Sequence, residues 1–145
     1  MRILFLALIT IFITSCARVS PDYFTSSFLV EETKINYNKI ADDFSQFITL
    51  YYLPNKTTFY FNDMDNNKSF SNYFVNTLRS KGYAISNDHS RKNLTFLSYQ
   101  ISQIDNENIV AIFNINESKI SVIYKIIENK LVKTNITSFN FDSQN

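Results

Sequence analysis

The sequence predicts an α+β domain, two amphipathic helices packed on a mostly antiparallel sheet of about five to six strands in the order α-β-α-β-β-β-β-β. Three observations carry that expectation. Apolar residues from Tyr37 to Tyr51, and again from Phe70 to Leu78, recur at the i, i+3, i+4, i+7 spacing of a helix. Ile109, Ala111, Phe113, Ile115 and then Ile120, Val122, Tyr124, Ile126 alternate at the period of a strand. The segments between the alternating runs are short and rich in Asn, as the turns of an antiparallel meander are.

The chain opens with the positive charge of Arg2 and then an unbroken run of apolar and small residues from Ile3 to Ile13. A bilayer core takes about 20 such residues, so this run has the length of a signal-peptide core rather than of a membrane span. It ends at Ile13-Thr14-Ser15-Cys16, which holds the only cysteine of the chain. An ordinary secretory cleavage site needs small residues at the minus-three and minus-one positions, and the bulky Ile13 stands at minus-three to Cys16. These four residues resemble the bacterial lipoprotein signal: an aliphatic residue, a small or polar one, a small one, then cysteine. The resemblance implies cleavage between Ser15 and Cys16, a diacylglyceryl group on the Cys16 sulfur and an acyl group on the new terminal amine. Ala17 stands where an Asp would be the inner-membrane retention cue of such signals, so the resemblance further implies sorting to the periplasmic face of the outer membrane. A lone cysteine has no internal disulfide partner and builds no cysteine-rich metal site. Its bland reading, a thiol at the end of an uncleaved apolar helix, is disfavoured by the shortness of the run.

On this reading residues 1–15 are a removed signal, 16–30 a lipidated tether and 31–145 a single periplasmic domain. A chain beginning at Cys16 keeps 130 residues, enough for one core, and balances 13 basic against 13 acidic side chains. That neutrality excludes the basic excess typical of nucleic-acid binders, because neutralising phosphates supplies most non-specific affinity. Most of the nine Tyr and 14 Phe are therefore read as core on helix and strand faces, with a few left for an interface. Asn and Ile occur 18 times each, and the five Asn-x-Ser/Thr sequons at Asn55, Asn67, Asn93, Asn116 and Asn135 follow from that abundance.

From about Glu31 the first helix carries Tyr37, Ile40, Ala41, Phe44, Phe47, Ile48 and Tyr51 on its core face and stops before Pro54, which forces its neighbour out of helical geometry. Thr57–Phe61 is β-branched and aromatic and reads as a strand. The second helix starts at a cap on Asn67 or Ser69, carries Phe70, Tyr73, Phe74, Thr77 and Leu78 on one side, and ends on Arg79 and Lys81. Gly82, the only glycine, stands where a left-handed residue closes a helix. Strands are expected at Tyr83–Ile85, Leu94–Ile104, Ile109–Ile115, Lys119–Ile127 and Leu131–Phe141, with turns at Asp105-Asn106, Asn116-Glu117 and Glu128-Asn129. Ala17–Phe28 is read as the tether, with Phe24 and Phe28 as residues able to pack.

Two stretches carry residue types of chemistry. Asp88-His89-Ser90 holds the side chains of a hydrolase triad and the only histidine, but consecutive residues do not supply a base reaching both partners across a fold. Asp63-x-Asp65-x-Asn67 opens like a calcium loop, yet Lys68 replaces the turn glycine and Phe74 the bidentate glutamate. No catalytic residue, cofactor or metal is expected beyond the lipid on Cys16.

At Leu50-Tyr51-Tyr52-Leu53-Pro54-Asn55-Lys56-Thr57-Thr58, and again at Phe74 to Ile85 through Leu78-Arg79 and Gly82-Tyr83-Ala84-Ile85, the chain resembles TrbH, a family of small conjugal-transfer lipoproteins. It departs from that pattern in having a single proline at Pro54 and no Trp or Gly around Thr137-Ser138-Phe139. The resemblance implies a structural component of a type IV secretion or conjugative mating-pair apparatus, held to the outer membrane by its lipid, with other apparatus proteins as partners and no catalytic residues. A periplasmic binding or lipid-handling lipoprotein of lipopolysaccharide assembly, using a groove between helix and sheet, is the alternative, and a hydrolase ranks last.

Overall fold

Alternation at period two fixes which face of each long strand is buried. In the computed structural model, which describes residues 24–30, 35–62 and 67–140, with 135–140 as backbone, that face is covered by both helices. The elements are β1 (Ser27–Leu29), α1 (Asn38–Tyr51), a 3-10 turn (Pro54–Lys56), β2 (Thr58–Phe61), α2 (Lys68–Ser80), β3 (Ala84–Ser86), β4 (Leu94–Gln103), β5 (Asn108–Ile115), β6 (Ser118–Ile127) and β7 (Lys130–Asn140). The domain is α+β, as the periodicities predict. Its seven-stranded sheet runs β3-β2-β4-β5-β6-β7, with β1 pairing β4 beside β2.

Strands β4 to β7 form the expected antiparallel meander. The β2-α2-β3 unit is parallel, and β2 also pairs parallel with β4. Short turns follow the Asn-rich connections. With one glycine in the chain, left-handed turn positions fall to residues whose short polar side chains tolerate them: Asn93, Asn116 and Asn129 have positive φ, and Glu128 joins Asn129 in the β6–β7 turn. The abundance of Asn is thus put to structural use.

Strand β1 departs from the expectation. Residues 16–30 read as tether, yet Ser27–Leu29 is a strand whose register on β4 runs from Ser27 opposite Gln100 to Leu29 opposite Ser102. The strand β2 takes Leu94 to Leu97 of the same β4 edge, so β2 and β1 lie end to end along it. In the gap between them the Ser26 hydroxyl accepts the Tyr99 N–H at 3.3 Å. An extra strand therefore raises the count above six, because three residues suffice when a long neighbour supplies the pairing.

The core lies between the helices and one sheet face. Phe44 of α1 stacks on Phe113 of β5 with ring centroids 3.6 Å apart and planes 11° from parallel. Phe70 and Phe74 of α2 meet Tyr99 of β4 edge-on at 5.0 and 5.9 Å. Such pairs add about 0.5–1.5 kcal/mol each beyond the area they bury. Helix α1 is shorter than predicted, starting at Asn38. Its core stripe ends at Ile48, and Tyr51, expected inside, is 47% exposed and lies against Phe47 instead. On the opposite sheet face a smaller cluster joins Phe24, Tyr60 and Phe96, each adjacent pair with centroids 5.2 Å apart.

Candidate functional site

Parallel pairing gathers several connections at one end of the sheet. Thr58 lies opposite both Ala84 and Leu94, so the chain entering β2, β3 and β4 does so from the same side. Helix α1 ends directly before β2 and α2 directly before β3, which brings their C-termini to that end. Gly82 sits there with φ +90°, donating its N–H to Arg79 at 2.9 Å while the Tyr83 N–H reaches the Leu78 carbonyl at 3.2 Å. These two bonds form a Schellman closure of α2, a geometry in which a Cβ is strained. The Tyr83 hydroxyl then donates to the Tyr52 carbonyl at 2.7 Å, tying the α2–β3 turn to the α1–β2 turn. At the other terminus of α2, the Asn67 side chain accepts the Phe70 N–H at 3.0 Å and acts as the cap, whereas Ser69 lies inside the helix.

His89 lies in the loop between β3 and β4, edge-on to Tyr60 with ring centroids 6.2 Å apart. Its neighbours make a local turn. Asp88 accepts both the Ser90 N–H at 2.9 Å and the Ser90 hydroxyl at 2.6 Å. These bonds, the hydroxyl one foremost, hold the Asp88 carboxyl below its ordinary range. The Ser90 hydroxyl proton is directed at the Asp88 carboxylate rather than at the His89 ring, so the three residues do not assemble nucleophile, base and orienting acid.

Between α1 and the sheet a shallow cleft is lined by Asp43, Phe44, Phe47, Phe113, Ile120, Val122, Tyr124 and Lys133. The Tyr124 hydroxyl donates to Asp43 Oδ2 at 3.2 Å, and Lys39 holds the other Asp43 oxygen at 3.1 Å. Burial, followed by the Asp43 charge and this hydrogen bond, pushes the Tyr124 phenol well above its ordinary value. The cleft has about 10 Å³ open to the centre of a water molecule, room for about one water and too little for an acyl chain.

The sheet margin is open to a macromolecular partner. Strand β7 ends the sheet order with 11 residues, and no described strand pairs its outer edge. Val132, Lys133 and Thr134 on it are exposed. Such an edge accepts a partner strand through backbone hydrogen bonds, while lysines along it discourage indiscriminate pairing. Sequence periodicity marked β7 as a strand but not as the margin, since strand order is set by long-range pairing.

Ser15 and Cys16, the expected cleavage and lipid-attachment residues, lie outside the described residues, as do Asp63 and Asp65 of the calcium-like stretch. Among the described residues no cluster of three or more His, Cys, Asp or Glu is placed to hold a metal ion, and no helix is long and apolar enough to cross a membrane.

In the comparison with known families, the family model described as Conjugal transfer protein TrbH aligns with residues 19–139. That span begins before Phe24 and reaches Phe139 in β7, so it touches every element of the fold. No curated protein and no solved structure matches the chain.

Proposed function

The chain belongs to the TrbH family of conjugal transfer proteins, and on that premise we propose that it is a lipid-anchored structural or assembly subunit of a conjugative transfer, type IV secretion apparatus. The observation that carries this reading is the family match over residues 19–139, nearly the whole folded domain. The anchor is the lipid on Cys16, which follows the lipoprotein-type signal Ile13-Thr14-Ser15-Cys16, and the site of action is the periplasmic face of the outer membrane. Each buried methylene contributes about 0.8 kcal/mol, so two or more acyl chains hold such a domain on a membrane stably. Confinement to that surface raises its effective concentration beside other anchored or membrane-embedded subunits.

The protein acts by position and contact rather than by catalysis. Strand β7 offers the partner-facing margin, its exposed Val132 and Thr134 beside Lys133 giving the edge both apolar contact and selectivity. Crosslinking in cells carrying the transfer system, followed by purification of the chain from the membrane fraction, tests the reading. Recovery of other transfer-apparatus proteins, with crosslinks placed through β7, is the expected result. Recovery of lipopolysaccharide-assembly proteins instead would replace it with the lipid-handling alternative.

A further inference from the structure

The end of the domain where β2, β3 and β4 begin is distinguished by its charge. Lys56 precedes β2, Arg79 and Lys81 close α2 before β3, and Arg91 and Lys92 precede β4, so five cationic side chains converge there. Four of them are exposed and Lys81 is half-buried. Among them Leu50, Tyr51 and Leu53, at the end of α1, are 73%, 47% and 58% exposed. Two carboxylates lie toward this side, Glu117 in the β5–β6 turn and Asp88, whose oxygen is occupied by Ser90. The opposite end carries both signs, since Lys39 and Lys68, in the first turns of α1 and α2, lie there with Asp42 and Asp43. Ile104 and Ile127 are exposed there too, but beside Asp105, Glu107 and Glu128, with Lys130 nearby and Lys125 paired to Glu107 at 3.2 Å.

We infer that the end bearing Leu50, Tyr51 and Leu53 with Lys56, Arg79, Lys81, Arg91 and Lys92 docks on the anionic lipid surface to which the protein is anchored. The inference rests on the acylation of Cys16, and it adds an orientation that the anchor alone does not set. Two arguments select this occupant. The first is charge complementarity: basic side chains around protruding Leu and Tyr suit an anionic headgroup layer, with the apolar tips entering the interface and the cations staying at phosphate level. The opposite end, where acidic and basic side chains are interspersed and partly paired, offers no such cationic cluster. The second is chain geometry. Strand β1 runs parallel to β4, so the chain traced backward from Ser27 heads toward the start of β4. Phe24 lies there, its ring 5.2 Å from that of Phe96, which is two residues inside β4. Cys16 precedes Phe24 by eight residues, a reach of at most about 28 Å. A tether that short, leaving toward the basic end, holds that end close to the lipid. Because the end is knit by the Tyr83–Tyr52 hydrogen bond and the Gly82 closure, it presents Leu50 and Leu53 on a rigid support.

The test uses the lipidated protein purified from membranes and reconstituted into phosphatidylethanolamine vesicles with or without phosphatidylglycerol. Acylated Cys16 has no free thiol, so Leu53→Cys and Ile104→Cys each carry a single reactive site for an environment-sensitive fluorophore. The Leu53 label should shift to the blue and be quenched by lipids carrying a quencher near the headgroup, more strongly in the anionic vesicles, while the Ile104 label stays unquenched. Arg91→Gln and Lys92→Gln should each lower the docked-to-undocked ratio about five-fold at low salt, the equivalent of roughly 1 kcal/mol per basic residue at an anionic surface. Equal quenching of both labels, quenching of the Ile104 label alone, or an unquenched Leu53 label on a protein shown by mass to be acylated would overturn the docking inference. So would retention of oligonucleotides by this end, lost in the Arg91→Gln and Lys92→Gln variants, with no response to lipid. Failure of the anchor reading looks different: the unsubstituted protein would then take the label at Cys16.

Discussion

The Tyr124 hydroxyl donates a hydrogen bond to Asp43 Oδ2 at 3.2 Å, joining the middle of β6 to α1 across 81 positions of sequence. Since Lys39 engages the other oxygen of Asp43, the carboxylate fixes the helix to the sheet from its own face while Phe44, one residue on, stacks on Phe113. Tyr124→Phe keeps the ring and removes the donor. It should cost about 1–2 kcal/mol, within the range for a hydrogen bond to a charged group, read as a lower midpoint in urea at pH 7.

The same pair sets an alkaline limit on stability. The phenol of Tyr124 is raised above its ordinary value of 10.0, by burial first and the Asp43 charge second, and Tyr52, Tyr73 and Tyr83 are shifted the same way. Above pH 10 the unfolded chain releases these protons while the folded chain retains them, so stability is intact below about pH 10 and falls as pH rises through the folded values. Urea midpoints measured from pH 8 to pH 11 should decline beyond pH 10, and Tyr124→Phe should flatten the decline. A midpoint unaffected by pH over that range would contradict the assignment.

Gly82, at φ +90°, closes α2, and a Cβ built there would meet only Pro54 Cβ at 3.4 Å, an ordinary contact. The penalty of substitution is therefore conformational rather than steric. Gly82→Ala and Gly82→Val should each destabilise by about 1–2 kcal/mol, the cost of left-handed backbone for a residue with a Cβ. Gly82→Asn should cost less, because Asn tolerates that region, as Asn93 and Asn116 do in this chain. Thermal unfolding of the three variants orders them. Equal midpoints for Gly82→Val and the parent would place the strain elsewhere.

Ser26 is buried and receives the Tyr99 N–H where β2 and β1 meet on β4. Ser26→Ala removes that hydrogen bond, at a cost of about 0.5–1.5 kcal/mol. Removing residues through Leu29 should do more, exposing the apolar face of Ile101 that Phe28 pairs with and uncovering Phe96 where Phe24 now lies. Circular dichroism of chains starting at Cys16 and at Val30 should show a large loss of thermal stability only in the second.

The helices, the meander and its turns were legible because each is a local pattern: a period of 3.6 or 2, punctuated by Pro54, Gly82 and Asn pairs. The single glycine was especially informative at the end of α2. Strand β1 was not legible, since three residues show no period, and its place is fixed by a register with Gln100 to Ser102 far along the chain. Tyr51 kept the helical spacing yet lies outside, because α1 runs past the part of the core that Ile48 closes. Among the candidate site residues, His89 and Gly82 could be judged from their neighbours alone. The Asp43–Tyr124 link and the gathering of Lys56, Arg79, Lys81, Arg91 and Lys92 at one end could not, because both depend on which strands run parallel. Overall neutrality of charge concealed that segregation.

The central claim is that this conjugal transfer protein works by being anchored and in contact, and conjugative transfer from cells carrying Cys16→Ala in place of the native gene tests it most directly. With protein levels matched, transfer should fall to the level of a deletion in Cys16→Ala, while His89→Ala, in the loop at Tyr60, should transfer as the parent does. Parental transfer by Cys16→Ala, together with loss of transfer in a folded His89→Ala protein, would contradict the account.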